Sequence, residues 1–295
     1  MSTPLLFDRH LLRDRRRRAA ALGPATFLID RVAQDLTERL ATVLRRFPVA
    51  VDLGTPTAAF ASALANAASV DAVITVGADP RPQGLTVVAD EEALPFRDAS
   101  LDLVVSGLAL HFVNDLPGTL VQVRRALKSD GLFLAALIGG ESLTELRQSF
   151  AAAEAEIEGG VSPRVAPFAD LRDMGALLQR AGFALPVTDV DRVIARYASP
   201  FALMDDLRHM GATNVLTERR RSPLRRATLR RMAEIYAERF AEPDGRLPAT
   251  FEIVWLSGWA PHESQQQPLA PGSARSRLAD ALGTREISSG EKAGQ

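Results

Sequence analysis

The sequence predicts an α/β fold with a mostly parallel sheet covered by helices on both faces. The first observation is that short apolar segments alternate with helical segments from Val49 to Ile138, which is typical of parallel βαβ units. The second is Val49–Leu53, which is apolar except for Asp52, as expected of a strand buried on both faces. The third is size, because 295 residues with 46% hydrophobic side chains suffice for one large α/β domain.

Two helices are predicted ahead of the first strand. Leu5–Leu22 has an apolar stripe beside a basic face that includes the run Arg13–Arg18. Such a charge run is most often a solvated helix face, and the alternatives are a lid that binds anions or a contact with an acidic partner. Gly23-Pro24 interrupts this helix, and Phe27–Phe47 is predicted as a second helix.

Five strands of the predicted core follow. They are Val49–Leu53, Ala72–Val76, Leu85–Val88, Leu101–Ser106 and Leu132–Ile138, with helices at Thr57–Ala67 and Leu116–Leu127 and a turn at Ser129–Gly131. Only GADPRPQG separates the second strand from the third, which is too short for the usual crossover between parallel strands. Either a helix has been lost there or the third strand is displaced.

The second half of the chain predicts four helices and two strands. The helices are Glu141–Glu158, Leu171–Ala181, Phe201–Met210 and Leu224–Phe240, the strands are Val187–Tyr197 and Thr250–Trp259, and Gly159–Phe168 is a loop. The last strand alternates apolar and polar residues and is predicted to be antiparallel. The chain from Pro261 is polar and aperiodic, which predicts a disordered tail.

These elements predict a division into an N-terminal helical segment at 1–47, a domain at 48–260 and the tail at 261–295. Within the domain we expect a core at 48–140, an elaboration at 141–248 and the last strand at 249–259.

Composition narrows the classes of function. A net charge of -1 argues against a dedicated nucleic-acid-binding protein. The absence of cysteine excludes disulfides, thiolate metal sites and cysteine nucleophiles, and it fits a cytoplasmic location. The four histidines are scattered, so no metal site is predicted. No apolar run approaches the roughly 20 residues of a membrane span, and the N-terminus lacks the apolar region of a signal peptide.

The carboxyl ends of the predicted strands are the candidate ligand-binding positions, because open α/β sheets bind ligands there. After the first strand, Asp52 and Gly54 lead into a helix whose N-terminus could face an anionic group. Gly54 permits a tight turn, but Pro56 has no N–H to offer a ligand. An ordinary strand–helix turn explains this segment equally well.

Acidic residues follow the second and third strands. Asp79 could accept hydrogen bonds from ribose hydroxyls, although it precedes Pro80 and Asp-Pro also opens turns. Asp90 could accept from an adenine amino group. Alternatively Asp90 caps a helix at Glu91–Ala93, and both roles can hold at once.

The segment Ser106–Pro117 follows the fourth strand at the mouth of the predicted site. His111 is the candidate catalytic residue there, as a general base or as a group that orients the substrate. A lone histidine beside leucine and phenylalanine is more often a packed structural residue.

The segments ADEEALPF and LDLVVSGLALHFVNDLP together resemble a class I methyltransferase dependent on S-adenosyl-L-methionine (SAM). The chain as a whole resembles the mitochondrial complex I assembly factor 5 family and its alphaproteobacterial relatives. Matching stretches include LFDRHLLR, FPVAVDLG, EGGVSPRVAPF, FALMDDLRHMGATN and PATFEIVWLSGW. The resemblance covers most of Leu6–His262, and the later stretches separate this group from the acyl-carrier-protein methyltransferases of biotin synthesis.

The resemblance implies a Rossmann-like class I methyltransferase fold with a seven-stranded sheet, N-terminal helices and helical insertions after the core. It implies SAM as cofactor and a protein substrate, such as a complex I subunit, of which an arginine is hydroxylated or methylated. The residues that correspond to cofactor contacts are Asp52, Gly54, Asp79, Asp90, Glu91, Ser106, Leu108 and His111. The loop Gly159–Phe168 and the later helices correspond to the substrate side.

The chain departs from the family pattern at the cofactor. Where the family continues Asp-Leu-Gly with Cys-Gly-x-Gly, this sequence has Thr55-Pro56-Thr57-Ala58, and the helix expected after Asp79 is missing. The alternative function is therefore a catalytically degenerate assembly factor that binds a partner without turnover. An NAD-type dehydrogenase is disfavoured because GxGxxG is absent.

Overall fold

A computed structural model describes residues 5–80, 84–166, 171–266, 280 and 282–285. The elements below lie in the compact unit Met1–Pro261, and His262–Gln295 forms a second unit. In the second unit the His262 ring hydrogen bonds with Ser264 Oγ at 2.7 Å. The predicted tail and the end of the predicted loop, at Pro167 and Phe168, extend beyond the described residues. The predicted domain division stays a prediction.

The strands form one seven-stranded sheet. They are β1 Phe47–Leu53, β2 Val70–Gly77, β3 Leu85–Val88, β4 Leu101–Gly107, β5 Leu127–Ile138, β6 Ala184–Tyr197 and β7 Leu247–Trp259. The order across the sheet is β3-β2-β1-β4-β5-β7-β6. Neighbours from β3 to β5 pair in parallel, and β7 is antiparallel to both β5 and β6. The predicted α/β fold with a mostly parallel seven-stranded sheet is confirmed.

Helices cover both faces of the sheet. They are α1 Arg9–Leu22, α2 Phe27–Ala41, α3 Ala59–Asn66, α4 Leu116–Ala126, α5 Thr144–Glu158, α6 Leu171–Arg180, α7 Pro200–His209 and α8 Arg226–Phe240. Apolar residues of α2, α3, α5, α7 and α8 share one core cluster with the sheet, and those of α4 and α6 share another. The two layers leave the carboxyl edge of the parallel strands to α1 and the connecting loops.

Two boundaries differ from the sequence prediction for physical reasons. The second helix ends at Ala41 instead of Phe47, because the Phe47 N–H donates to Ser69 O at 2.6 Å and begins β1. The turn predicted at Ser129–Gly131 is an irregularity inside β5, where Asp130 takes a φ of 63°. The other predicted elements are present with ends shifted by a few residues.

The short connection between β2 and β3 is explained by their register. Ile74 pairs with Leu85, so β3 begins level with the middle of β2. The chain returns from Gly77 over only three residues of β2, about 10 Å at roughly 3.3 Å per residue. No helix occurs at 78–80 or 84, the described part of this connection. Of the two alternatives, displacement of the third strand is wrong, since β3 pairs directly with β2.

Candidate functional site

Two neighbouring cavities lie where the parallel strands end. The first, here called the charged cleft, has a volume of about 740 Å³ and lies beneath α1. Its charged lining residues are Arg9, Arg13, Arg16, Arg17, Asp79 and Glu91. The second, here called the apolar cavity, has a volume of about 530 Å³ and lies among α1, α2, α5 and α7. Both cavities are lined by Arg16, Ala20, Pro56, Thr57 and Ala58.

The turn after β1 closes around Gly54. Its φ of 71° lies in the left-handed region that favours glycine, and its N–H donates to Val76 O at 2.7 Å. A Cβ at this position would lie 2.5 Å from Glu91 Oε1. The turn therefore requires glycine both for its backbone conformation and for the carboxylate packed against it.

Buried side chains fasten this turn to β4. Thr55 Oγ1 donates to Asp52 Oδ1 and accepts from the Gly107 N–H at 2.9 Å. Ser106 Oγ donates to Leu53 O at 2.7 Å. Asp52 and Ser106 are 1% and 0% exposed. These two predicted cofactor contacts shape the turn from beneath, and their role toward a ligand stays a prediction.

The α1 helix presents four arginines to the charged cleft. Arg9, Arg13, Arg16 and Arg17 are spaced i, i+4, i+7 and i+8, which places them on one side of a helix. All four line the cleft. Arg9, Arg13 and Arg16 are therefore folded against the chain itself, and the interpretation as a solvated face is wrong for them. Arg17, whose side chain is 58% exposed, lies at the surface.

Asp90, after β3, pairs with two of these arginines. It accepts from Arg9 Nη2 at 2.9 Å and from Arg13. It also accepts from the Glu92 N–H at 2.9 Å within a turn, and not at the predicted helix start. Burial raises the pKa of Asp90, but the Glu92 N–H and the two guanidiniums outweigh it and hold the net pKa below its usual value.

Glu91 and Asp79 complete the pairing. Glu91 is 3% exposed, accepts from Arg9 and lies 3.9 Å from Arg16 Nη1. Asp79, after β2, accepts from Arg17 Nε at 3.0 Å and Nη2 at 2.8 Å near the surface. Asp79, Asp90 and Glu91 are thus all paired with α1.

Contacts far along the chain hold α1 in place. Phe7 forms an antiparallel bridge with Leu216, and its N–H donates to Asn114 Oδ1 at 2.8 Å. Gly211 approaches so closely that a Cβ there would lie 3.0 Å from Arg16 Cα. This close approach fixes Arg16 in the wall that the two cavities share.

Leu108 and His111 line the apolar cavity instead of the charged cleft. His111 Nδ1 accepts a long hydrogen bond from the Ile138 N–H at 3.5 Å, and its ring lies 4.2 Å from that of Phe112. Burial and the nearby Arg16 lower the pKa of His111 to about 3. The imidazole is therefore neutral near pH 7, which suits hydrogen bonding and makes it a weak general base. Its catalytic role stays a prediction.

A buried carboxylate anchors the loop after α5 beside the apolar cavity. Glu154 is 1% exposed and accepts from the Ser162 N–H at 2.7 Å and from Arg164 Nε at 2.8 Å. Arg164 also lies over the Phe150 ring at 5.8 Å. Burial raises the pKa of Glu154, but these hydrogen bonds outweigh it and lower the net pKa. Residues 164–166 of the predicted substrate loop line the cavity.

The structure separates the predicted site residues into three groups. Gly54, Asp79 and Glu91 line the charged cleft, with Asp90 beside them in the ion-paired cluster. Leu108 and His111 line the apolar cavity, and Asp52 and Ser106 lie beneath the turn. Sequence reasoning missed the α1 arginines as cleft residues, although their spacing was a visible signal. It also missed Glu154, for which the sequence offers no signal.

The described residues contain neither a candidate metal cluster nor a candidate membrane span. No three histidine, aspartate or glutamate side chains there cluster so as to hold a metal ion. None of the helices in the described part of the chain is long and apolar enough to cross a membrane.

Known proteins resemble this chain in sequence and fold. Residues 36–135 match the family described as methyltransferase domain. The mitochondrial arginine-hydroxylase NDUFAF5 of Danio rerio is 37% identical over 286 residues, covering 93% of this chain and 89% of that protein. Its Homo sapiens counterpart is 39% identical over 280 residues, covering 91% and 81%.

Among solved structures, a candidate methyltransferase from Bacillus halodurans C-125 superposes with a TM-score of 0.52. It is 15% identical and covers 77% of this chain and 98% of that one, so the likeness concerns the fold alone. The relatives at this identity and coverage show the family, and the strand order and the methyltransferase-domain match agree with it. The chain belongs to the NDUFAF5 arginine-hydroxylase family, a branch of the SAM-dependent methyltransferase family.

Proposed function

We propose that the protein binds SAM in the charged cleft and acts on an arginine of a protein substrate during assembly of respiratory complex I. The arginine-hydroxylase names of relatives that cover more than nine-tenths of the chain support the reaction and its target. The structural observation that carries the proposal is the placement of Asp79 and Asp90. They follow adjacent strands of a class I methyltransferase sheet, beside a cleft of about 740 Å³.

The residues of the cleft fit the adenosyl part of this cofactor. Asp79 would accept from the ribose hydroxyls and Asp90 from the adenine amino group. Gly54 lines the cleft without a side chain, although Glu91 packs against it, and the volume lies within the range of small-molecule sites. When bound, SAM would supply an electrophilic methyl group, which serves methylation of the arginine; hydroxylation would need an oxygen donor and an oxidant in addition. The α1 arginines now hold these carboxylates, so binding exchanges ion pairs of the protein for contacts to the ligand.

The second candidate function is an assembly factor that binds its partner without turnover. It is favoured by the segment after Gly54, where Thr55 is buried and hydrogen bonded to the protein and Pro56 has no N–H. Pro56 lies in the wall shared by the two cavities.

The cytoplasmic location predicted from the absence of cysteine stays a prediction. Neither candidate function depends on it.

Isothermal titration calorimetry with SAM separates the two candidates. We expect binding to the wild-type protein, and Asp79→Asn should weaken it at least about tenfold because a charged acceptor of hydrogen bonds is lost. Asp14→Asn is the matched control. Asp14 also lies near Arg17, at 3.6 Å, but outside the cleft lining.

Equal losses in the two variants would mean that Asp79 acts only by positioning Arg17. No heat at millimolar SAM, with circular dichroism showing a folded protein, would reject the enzymatic proposal and leave the assembly factor.

A further inference from the structure

The apolar cavity is open space among core side chains. Its walls include Leu146 and Phe251, which are 4% and 2% exposed, and its volume is about 530 Å³. Protein interiors are close-packed, and voids larger than a water molecule are few. Ligand pockets in proteins have volumes of about 300–1,000 Å³. The volume of the apolar cavity therefore fits a ligand site.

The lining specifies an apolar body for that ligand. Aliphatic and aromatic side chains from α2, α5, α7 and β7 form most of the wall, among them Leu28, Leu146, Phe150, Met204, Leu207 and Phe251. Side chains that can hydrogen bond are a minority of the lining: Arg16, Thr57, His111, Ser142, Arg164, Arg208, His209, Thr213 and Asn214. A chain of methylene groups satisfies the apolar majority of the wall, and the polar minority can meet a single polar head group.

The charges at the wall all have one sign. In the described part of the lining, Arg16, Arg164 and Arg208 carry charge, and no aspartate or glutamate is present. Arg164 is bound by the buried Glu154, and Arg208 pairs with Asp205 at the surface, at 2.8 Å. Arg16 lies deeper, in the wall shared with the charged cleft.

Arg16 is well placed to hold an anionic head group. Its guanidinium lies 3.4 Å from Gly54 O, 3.9 Å from Glu91 Oε1 and 5.8 Å from the centre of the Phe112 ring. Gly211 fixes its backbone from behind. The side chain is 20% exposed, so an ion pair formed there would be largely shielded from water.

We propose that the apolar cavity binds an aliphatic carboxylate, with its hydrocarbon chain among the α2, α5 and α7 side chains and its carboxylate at Arg16. A guanidinium in this cavity would meet Arg16 and find no carboxylate among the described lining residues. An arginine target must then reach the charged cleft by another route. The proposal goes beyond the proposed function and does not need SAM, so the two can fail separately.

Three eight-carbon probes test the proposal by calorimetry on the full chain without SAM: octanoate, octanol and octylguanidinium. We expect octanoate to bind most tightly, octanol more weakly and octylguanidinium not measurably. From hexanoate to decanoate, affinity should rise about threefold to fourfold per added methylene until the cavity is filled.

Arg16→Gln should weaken octanoate binding about tenfold, through the lost ion pair, and leave octanol binding unchanged. Arg16→Lys should retain most of the preference for octanoate, which separates loss of charge from loss of structure. Arg18→Gln is the matched control, because Arg18 is exposed on the same helix and lines neither cavity.

Met204→Trp should block all alkyl probes by filling the cavity, whereas Phe201→Trp, on the same helix but outside this lining, should not. Octylguanidinium binding as tightly as octanoate would overturn the charge assignment. Equal affinity for octanoate and octanol, unchanged by Arg16→Gln, would overturn the role of Arg16. No alkyl binding by the folded protein would overturn the site itself.

Discussion

The charged cleft and the apolar cavity lie side by side at the same edge of the sheet, but they are prepared for ligands in opposite ways. In the cleft, the carboxylates of Asp79, Asp90 and Glu91 already have partners on α1. A ligand there replaces existing ion pairs, so its net gain is smaller than its new contacts alone would give, and it depends on salt. In the cavity a ligand covers apolar wall that has no partner side chain, so burial itself supplies the gain. Adjacent cavities of similar size can therefore differ widely in the free energy of ligand binding, because the charged groups of one are already paired within the protein.

The largest effect is expected at the buried end of the α1 pairing. Arg9→Met should lower the free energy of unfolding by about 3 kcal/mol or more, because it removes the closest partner of the buried Glu91. Arg17→Met, which removes the exposed pair with Asp79, should cause no resolvable change. Urea denaturation followed by circular dichroism measures both.

Similar losses in the two variants would mean that burial does not distinguish these ion pairs. The charged cleft would then be a solvated surface, and its contrast with the apolar cavity would disappear.

The next effect is expected at the floor of the charged cleft. Gly54→Ala should lower the free energy of unfolding by about 2–4 kcal/mol. One part of the cost comes from a side chain on a left-handed backbone, and the other from the clash of the new Cβ with Glu91. Gly159→Ala is the matched control, because its φ is also 71° but nothing lies within 4 Å of the added Cβ. It should cost only the backbone share, about 1–2 kcal/mol.

Equal costs at Gly54 and Gly159, measured in the same urea series, would show that Glu91 moves aside freely. The turn would then tolerate a side chain, and the cleft floor would be softer than its packing indicates.

The smallest effect concerns His111 in the apolar cavity. The pKa of His111 in the folded protein, about 3, lies below the ordinary value. Below about pH 6.5 this histidine therefore binds a proton in the unfolded chain but stays neutral in the folded protein. Stability is therefore retained above pH 6.5 and lost as pH falls toward 3. Between pH 7 and pH 5 this group should account for about 2 kcal/mol of lost stability.

His111→Phe should remove that share of the pH dependence, as measured by urea denaturation at both pH values. If the variant loses as much stability between pH 7 and pH 5 as the wild type does, the pH dependence comes from other groups. Protonation would then not affect the wall of the cavity.

Local patterns were sufficient to predict most of the fold. The apolar run Val49–Leu53 and the helical spacing of Leu116–Leu127 depend on residues close in sequence, and both elements are present. Phe47 was misassigned because its apolar side chain also fits the helical pattern, whereas its strand hydrogen bond comes from Ser69. The irregularity in β5 could not be predicted, since it depends on the register with β4.

The site was less predictable because its contacts join distant parts of the chain. Asp79 and Asp90 are predicted from their positions after strands, as the topology requires, and Glu91 from the family resemblance. Arg9 lies 82 residues before its partner Glu91, and Arg17 lies 62 residues before its partner Asp79. The spacing of the arginines indicated a shared face, but only the tertiary structure shows which carboxylates it meets.

The docking of α1 also bears on the order in which the chain assembles. Leu12 and Ala19 are its buried residues, which is little apolar area for a helix of 14 residues. Its Arg9 pairs with Asp90, and Phe7 just before it contacts Asn114 and Leu216. The bridge to Leu216 joins distant parts of the chain, so we expect α1 to dock late in folding. Until it docks, the acidic floor of the cleft is uncovered, so a small molecule could reach it in a folding chain without displacing α1.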